Sequence, residues 1–146
     1  MVFNKQGVDD PHDNPSLLLD DDGYLWVFVS GRGQRRMGYK YRSTEPYSID
    51  TFQQVREEEM TYPQPWFVPE KGIFHFFTKY TGRRELYFET SSDGFEWCGD
   101  QKLAAIKRPE DKQAGHYQVS DVRQNKLGTF FNCFHNGDVY RRPNLY

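Results

Sequence analysis

Cysteine is scarce in this 146-residue chain: Cys98 and Cys133 are all it has. Two cysteines do not make a disulfide framework, so core packing and hydrogen bonds must hold the fold. They are read as two free, buried thiols. Net charge is nearly absent as well. Nineteen Lys and Arg stand against 21 Asp and Glu, leaving −2. That balance gives no electrostatic case for nucleic acid or an anionic membrane surface as partner. No apolar run approaches the roughly 20 residues that a membrane-spanning helix needs. Residues 1–7 contain one Lys and no apolar stretch, so no export signal is legible there. Localisation stays open, with the expectation that the parent protein is secreted or periplasmic. Helical periodicity with a cap and a stop is missing too. The best helix candidate, residues 49–58 with Phe52 and Val55, is read as a loop with at most one helical turn. A Gly-x-Ser-x-Gly elbow is absent, and Gly31-Arg32-Gly33 lacks the third glycine and the strand–helix setting of a phosphate loop.

Aromatic residues are plentiful. Twelve Phe, ten Tyr and three Trp make up 17% of the chain. Each buries on the order of 150–250 Å², which argues for a thin but real core even though Leu, Ile, Val and Phe together reach only about 22%. These aromatics recur at a fixed interval. Asn14-Pro15-Ser16 leads into Leu25-Trp26-Val27-Phe28-Val29-Ser30. Forty-eight residues later, Tyr62-Pro63-Gln64-Pro65-Trp66-Phe67 leads into Ile73-Phe74-His75-Phe76-Phe77-Thr78. A further 54 residues on, His116-Tyr117-Gln118-Val119 leads into Leu127-Gly128-Thr129-Phe130-Phe131. Each unit then carries an Arg pair: Arg35-Arg36, Arg83-Arg84 and Arg141-Arg142.

Every unit reads as short strands bounded by turn residues, with Asp22-Gly23 and Asn136-Gly137 as hairpin turns. All-β units of this length, about four strands each, are the pattern of β-propeller blades. The unit boundaries are 12–59, 60–113 and 114–146. Three blades fall short of the four to eight that usually close a ring. The expected fold is therefore all-β, a partial propeller that is a fragment of a larger one or closes by association.

The second unit carries Ser91-Ser92-Asp93-Gly94-Phe95-Glu96-Trp97. It resembles the Asp-box, the Ser-x-Asp-(x)-Gly-x-x-Trp hairpin of sialidase-like propellers. In such a hairpin the Asp side chain accepts backbone N–H groups, Gly permits positive φ, and Trp packs beneath. Ser43-Thr44-Glu45-Pro46 is a degenerate version in the first unit. Nearly the whole chain resembles the BNR-repeat (Asp-box) propeller family, and in particular its group written Asp-Asp-x-His-x-Asn-Pro-Ser at the first blade, here Asp9-Asp10-Pro11-His12-Asp13-Asn14-Pro15-Ser16. Thr61-Tyr62-Pro63-Gln64-Pro65-Trp66 and Gly115-His116-Tyr117-Gln118-Val119 carry the likeness further, as does Arg142-Pro143-Asn144-Leu145-Tyr146. Some members of this group resemble polysaccharide lyases that cut uronate polymers.

The repeat makes Asn14, Tyr62 and His116 equivalent, at the start of each unit's first strand, where propeller strands line the central channel. His12 belongs to the same rim. Arg32 and Tyr80 form another equivalent pair. A rim of His, Tyr and Arg suits an acidic sugar. Cleavage by β-elimination needs a cation on the uronate carboxylate, a base for the C5 proton and an acid for the leaving oxygen. Following the resemblance, His12 or His116 is the base, Tyr80 or Tyr117 the acid, and Arg84 or Arg142 the neutraliser. Asn14, Arg32, Tyr62, Trp66 and Arg142 are the substrate-binding set. Where lyase-like relatives are expected to carry another His, this chain has Ser30-Gly31-Arg32-Gly33; that Arg suits a carboxylate but not base chemistry.

Other histidines and acids carry less. His75 reads as a structural strand residue. His135 near Cys133 is two ligands short of a metal site, and Asp20-Asp21-Asp22-Gly23 reads as an acidic turn. No metal and no cofactor are expected. The expected partner is a polysaccharide or oligosaccharide, together with a second copy or the remainder of the propeller. Two alternatives stand beside the lyase reading: a non-catalytic glycan- or protein-binding module, and a sialidase-type glycoside hydrolase.

Overall fold

The computed structural model describes residues 14–80, 83–106, 110, 114–136 and 144–145. Among these are eleven strands and no helix. The first sheet is a meander of β1 (Ser16–Leu19), β2 (Leu25–Val29), β3 (Gly38–Ser43) and β4 (Phe52–Glu58). The second repeats it with β5 (Thr61–Val68), β6 (Gly72–Tyr80), β7 (Arg84–Ser91) and β8 (Gln101–Ala104). The third has β9 (Ala114–Arg123), β10 (Lys126–His135) and β11 (Asn144–Leu145). All pairings are antiparallel. The leading strands β1, β5 and β9 lie side by side, so the three sheets are successive blades of a partial propeller.

The turns follow their residues. Gly23 (φ 83°) closes the β1–β2 hairpin, its N–H donating to the Asp20 carbonyl at 3.1 Å. Gln124 (φ 50°) and Asn125 (φ 59°) close β9–β10, a two-residue turn with both central φ positive. The Asp-box links β7 to β8 as its chemistry requires. The Asp93 carboxylate accepts the N–H groups of Phe95 (2.8 Å) and Glu96 (2.9 Å), and those bonds hold its pKa below the usual carboxylate value. Trp97 donates its indole N–H to the Gly94 carbonyl at 2.8 Å. Gly94 has φ 81°, and any Cβ there would run into the Trp26 ring.

Two expectations are corrected. Residues 52–58 are not a loop with a helical turn; they form β4, the outer strand of the first sheet. A bulge explains the misleading pattern. Lys40 pairs with Arg56 and Tyr41 with Gln54, so Val55 is extra, and Phe52 and Val55 acquire a three-residue spacing without a helix. The two cysteines are free, but Cys98 is exposed, and only Cys133 is buried.

The main core lies between the first and second sheets. Trp26 and Phe28 of β2 meet Ile73 and Phe77 of β6 and Tyr87 of β7, with Met60 below. Burial of each such side chain contributes about 1.5–3 kcal/mol. Inside this core sits Lys40, wholly buried, with its Nζ 2.5 Å from both Glu58 and Glu89 and 3.4 Å from the Trp97 ring centre. Arg56 closes the far side of both carboxylates, at 3.2 and 3.4 Å. His75 donates its Nδ1–H to the Glu89 carboxylate at 2.8 Å and stacks on Phe77.

Candidate functional site

The first blade contributes a loop. After β2 the chain turns through Gly31–Arg36, held by Arg32 N–H to the Arg36 carbonyl (2.7 Å) and Gly31 N–H to the Met60 carbonyl (2.8 Å). Gly33 donates its N–H to Thr61 Oγ1 at 3.3 Å. The loop is thereby pinned to the start of β5, with Arg32 and Arg35 exposed on it.

The second blade contributes the floor. β5 opens with a bulge between Thr61 and Gln64, and Tyr62 within it has φ 55°. A tyrosine in the left-handed region costs on the order of 1–3 kcal/mol, a strain that clusters at sites. The Tyr62 N–H donates to Ser30 Oγ at 3.2 Å. Tyr80 ends β6, 40% exposed, its N–H donating to Glu59 at 2.8 Å. Arg84 begins β7.

The third blade contributes Tyr117. Its ring and those of Tyr62 and Tyr80 surround the Arg84 guanidinium, which lies 4.5, 5.1 and 5.9 Å from the respective centres. Tyr62 and Tyr117 are themselves 5.8 Å apart. The Nε and Nη1 of Arg84 are buried and meet no hydrogen-bond partner among the described residues. Arg42 shows the contrast. It too lies on rings, 3.2 Å above Tyr24, and its Nε is likewise buried without a partner among the described residues, but it is not among the residues lining the cavity at Arg84.

Arg84 lines a cavity of about 420 Å³ with Arg32, Gly33, Gln34, Arg35, Thr61 and Tyr80. Among the described residues no carboxylate lines it; Glu59 accepts the Tyr80 N–H beside it. Three guanidiniums around a pocket of this size, one of them desolvated, form a receptor for an anion with several oxygens.

Other candidates lie apart from this pocket or outside the described residues. His116 is fully buried, with both ring nitrogens committed: Nδ1–H donates to the Asn132 carbonyl (2.9 Å) and Nε2 accepts the Ile106 N–H (2.9 Å). Burial lowers its pKa and keeps the ring neutral. Trp66 faces the third blade, its indole N–H donating to Ser120 Oγ at 2.8 Å. Asn14 is exposed just ahead of β1. His12 and Arg142 lie outside the described residues. Sequence reasoning did not foresee Arg35 as lining, or Thr61; the equivalence of Arg35 to Arg83 was visible, but not which member of each Arg pair turns inward.

Glu58, His75 and Glu89 bring metal-type ligand atoms within 4.8 Å of one another. Lys40 Nζ lies among them, so the cation of that cluster is an ammonium.

The family model for BNR repeat-containing proteins matches residues 1–140. A comparison with curated proteins finds no match. Among solved structures, the chain is similar to a polysaccharide lyase described as PL25 ulvan lyase, with a TM-score of 0.76 and 21% identity over 86% of this chain and 33% of that one. It is similar also to PL25 ulvan lyase bound to -[GlcA(1-4)Rha3S]-, with a TM-score of 0.75 and 19% identity over the same shares. The chain thus spans about a third of the length of the lyase chains it resembles. At these identities the likeness establishes the propeller fold.

Proposed function

The chain belongs to the BNR repeat-containing family, and from that premise we propose that it is a carbohydrate-active propeller segment that binds an acidic polysaccharide in the Arg84 cleft and cleaves it by β-elimination. One observation carries the binding step: a guanidinium with buried, unpartnered N–H groups at the wall of a cavity flanked by two further Arg. A uronate carboxylate supplies the acceptor oxygens that Arg84 lacks, and bidentate pairing in a partly dry pocket is among the stronger polar contacts a protein makes. The same pairing withdraws charge from the carboxylate and acidifies the adjacent C5 proton.

Tyr80 is the proton-handling group in this reading, since its side chain lines the cavity beside Arg84. His116 holds the β8–β9 junction and does not take the proton. His12 remains the family-implied base. A second reading is favoured by one observation: among the described residues no imidazole lines the cleft. On that reading the module binds the glycan and cuts nothing.

Two measurements on uronate-containing polymers test this. Arg84→Ala is expected to weaken binding in calorimetry by roughly thirtyfold or more, given about 2–5 kcal/mol for a buried charged pair. Unchanged affinity would sink the cleft assignment. Tyr80→Phe is expected to keep binding and remove the ultraviolet absorbance of unsaturated product ends. Binding with no such absorbance from the unsubstituted chain would leave the non-catalytic reading in place.

A further inference from the structure

The two cationic arms of the cleft belong to different blades. One is the loop that carries Arg32 and Arg35, and the other is Arg84, with the Tyr62 ring 5.1 Å from its guanidinium. Two uncharged side chains stand where the arms meet. Ser30 follows β2 directly and is 2% exposed; Thr61 opens β5 and is 7% exposed. Neither has a part in the chemistry proposed above.

Thr61 acts on the loop. Its Oγ1 accepts the Gly33 N–H at 3.3 Å, and the Thr61 carbonyl accepts the Thr78 hydroxyl at 3.1 Å, which fixes Thr61 itself to β6. Gly33 has φ 55°, and a Cβ there would stand 3.0 Å from Tyr80 Cβ, so the loop rests directly on Tyr80. Ser30 acts on the wall. Its Oγ accepts the Tyr62 N–H at 3.2 Å. Tyr62 sits in the left-handed region (φ 55°), a conformation that persists only where the surroundings over-determine it. Ser30 thereby sets where the Tyr62 ring stands, and that ring is part of what surrounds Arg84. The Gly31 carbonyl accepts from both hydroxyls, from Ser30 at 3.2 Å and from Thr61 at 3.5 Å. A carbonyl has two lone pairs for this purpose, and here it couples the loop to the wall.

From this we propose that Ser30 and Thr61 are positioning residues of the cleft: Thr61 sets the Arg32–Arg35 loop, and Ser30 sets Tyr62 and through it Arg84. The role rests on the anion-binding reading of the cleft. Hydrogen bonds of this kind contribute little net energy but fix geometry, and a bidentate guanidinium–carboxylate pair depends on that geometry. Anion affinity therefore depends on two hydroxyls that carry no charge.

Calorimetry with polyglucuronate tests it. Thr61→Val and Ser30→Ala are each expected to weaken binding by about fivefold, the effect of one lost hydrogen bond. Thr61→Ser keeps the hydroxyl and is expected to restore the affinity. In a chain that already carries Arg32→Ala and Arg35→Ala, Thr61→Val is expected to cost nothing further, while Ser30→Ala keeps its full effect. An undiminished effect of Thr61→Val in that background would mean that Thr61 meets the ligand itself, and overturns its positioning role. Nitrogen-15 NMR gives a readout without ligand. The Arg84 Nε–H, buried near three rings, is expected to exchange slowly with water. Ser30→Ala is expected to shift that signal, and Thr61→Val to shift the Gly33 amide and leave Arg84 in place. Should Ser30→Ala lose its circular dichroism spectrum, Ser30→Cys replaces it, since sulfur is a weak acceptor. If the unsubstituted chain binds no polymer yet these signals respond as stated, the glycan reading alone falls and the positioning of the arms stands. Signals that stay fixed in both variants, or a Thr61→Ser chain that binds no better than Thr61→Val, would overturn the proposal.

Discussion

The two seams of the molecule are made of different material. Between the first and second blades, Trp26, Phe28, Ile73 and Phe77 close over a single buried ammonium, Lys40, set between Glu58 and Glu89. Between the second and third blades hydrogen bonds stand beside the Tyr62–Tyr117 ring contact. Trp66 donates to Ser120, and Ser120 donates through both its N–H and its hydroxyl to Gln64 Oε1, each at 2.7 Å. Apolar burial is non-directional and scales with area, while a hydrogen bond contributes only about 0.5–1.5 kcal/mol net but fixes geometry. The first seam supplies stability, and the second sets the register of β9, which brings Tyr117 to Arg84. The candidate cleft is lined from the first two blades, by Arg32 and Arg35 on one side and Tyr80 and Arg84 on the other, and the third blade reaches it through the Tyr117 ring against Arg84.

The largest effect is expected at the first seam. Lys40→Met leaves Glu58 and Glu89 buried without their ammonium, and breaking such a cluster costs about 3–5 kcal/mol. Adding Glu58→Gln and Glu89→Gln to the same chain is expected to recover most of that loss, because neutral amides tolerate burial far better than bare carboxylates. Denaturant midpoints measure both. A loss for Lys40→Met below about 1 kcal/mol would mean that water reaches the cluster and that the seams differ less than their composition implies.

That cluster also marks the limit of what the sequence reveals. Turns, repeat and Asp-box were legible because each is set by residues within a few positions: Gly23 and Gly94 need positive φ, and Asp93 serves its own turn. Lys40, Glu58 and Glu89 come from three strands, and only sheet register and blade packing unite them. The site was half legible. Arg84, Tyr80, Tyr62, Tyr117 and Arg32 were singled out individually, and four of them do surround one guanidinium or its cavity. The repeat aligned Tyr62 with His116, yet Tyr117 is the residue that meets Tyr62. The bulge in β5 shifts the phase of one strand against the other, which no spacing count discloses.

A second effect separates the seams by pH. Burial first, and the Lys40 charge second, hold the His75 pKa well below the usual imidazole value. The unfolded chain titrates at about 6.5. Below that pH the unfolded state binds a proton that folded His75 refuses, so stability falls as pH falls, by at most about 1.4 kcal/mol per pH unit, and is level above it. His75→Gln is expected to flatten this slope between about pH 6.5 and pH 5. His116, whose pKa is also lowered by burial, contributes the same sign at the second seam, so the slope of His75→Gln should not vanish completely. An unchanged slope would show that His75 takes up its proton inside the core.

The smallest effect belongs to the second seam. Ser120→Ala removes the acceptor of the Trp66 indole N–H and one of the two donors to Gln64. Both partners are only partly buried, so water replaces some of what is lost, and about 1 kcal/mol is expected. The informative quantity is where that loss appears. If the second seam mainly sets register, Ser120→Ala loosens β9 and exposes its amides to hydrogen exchange, while amides of β2 and β6 at the first seam keep their protection. Equal loss of protection across all three sheets would mean that the seams unfold as one cooperative unit. The difference in their chemistry would then have no counterpart in local stability.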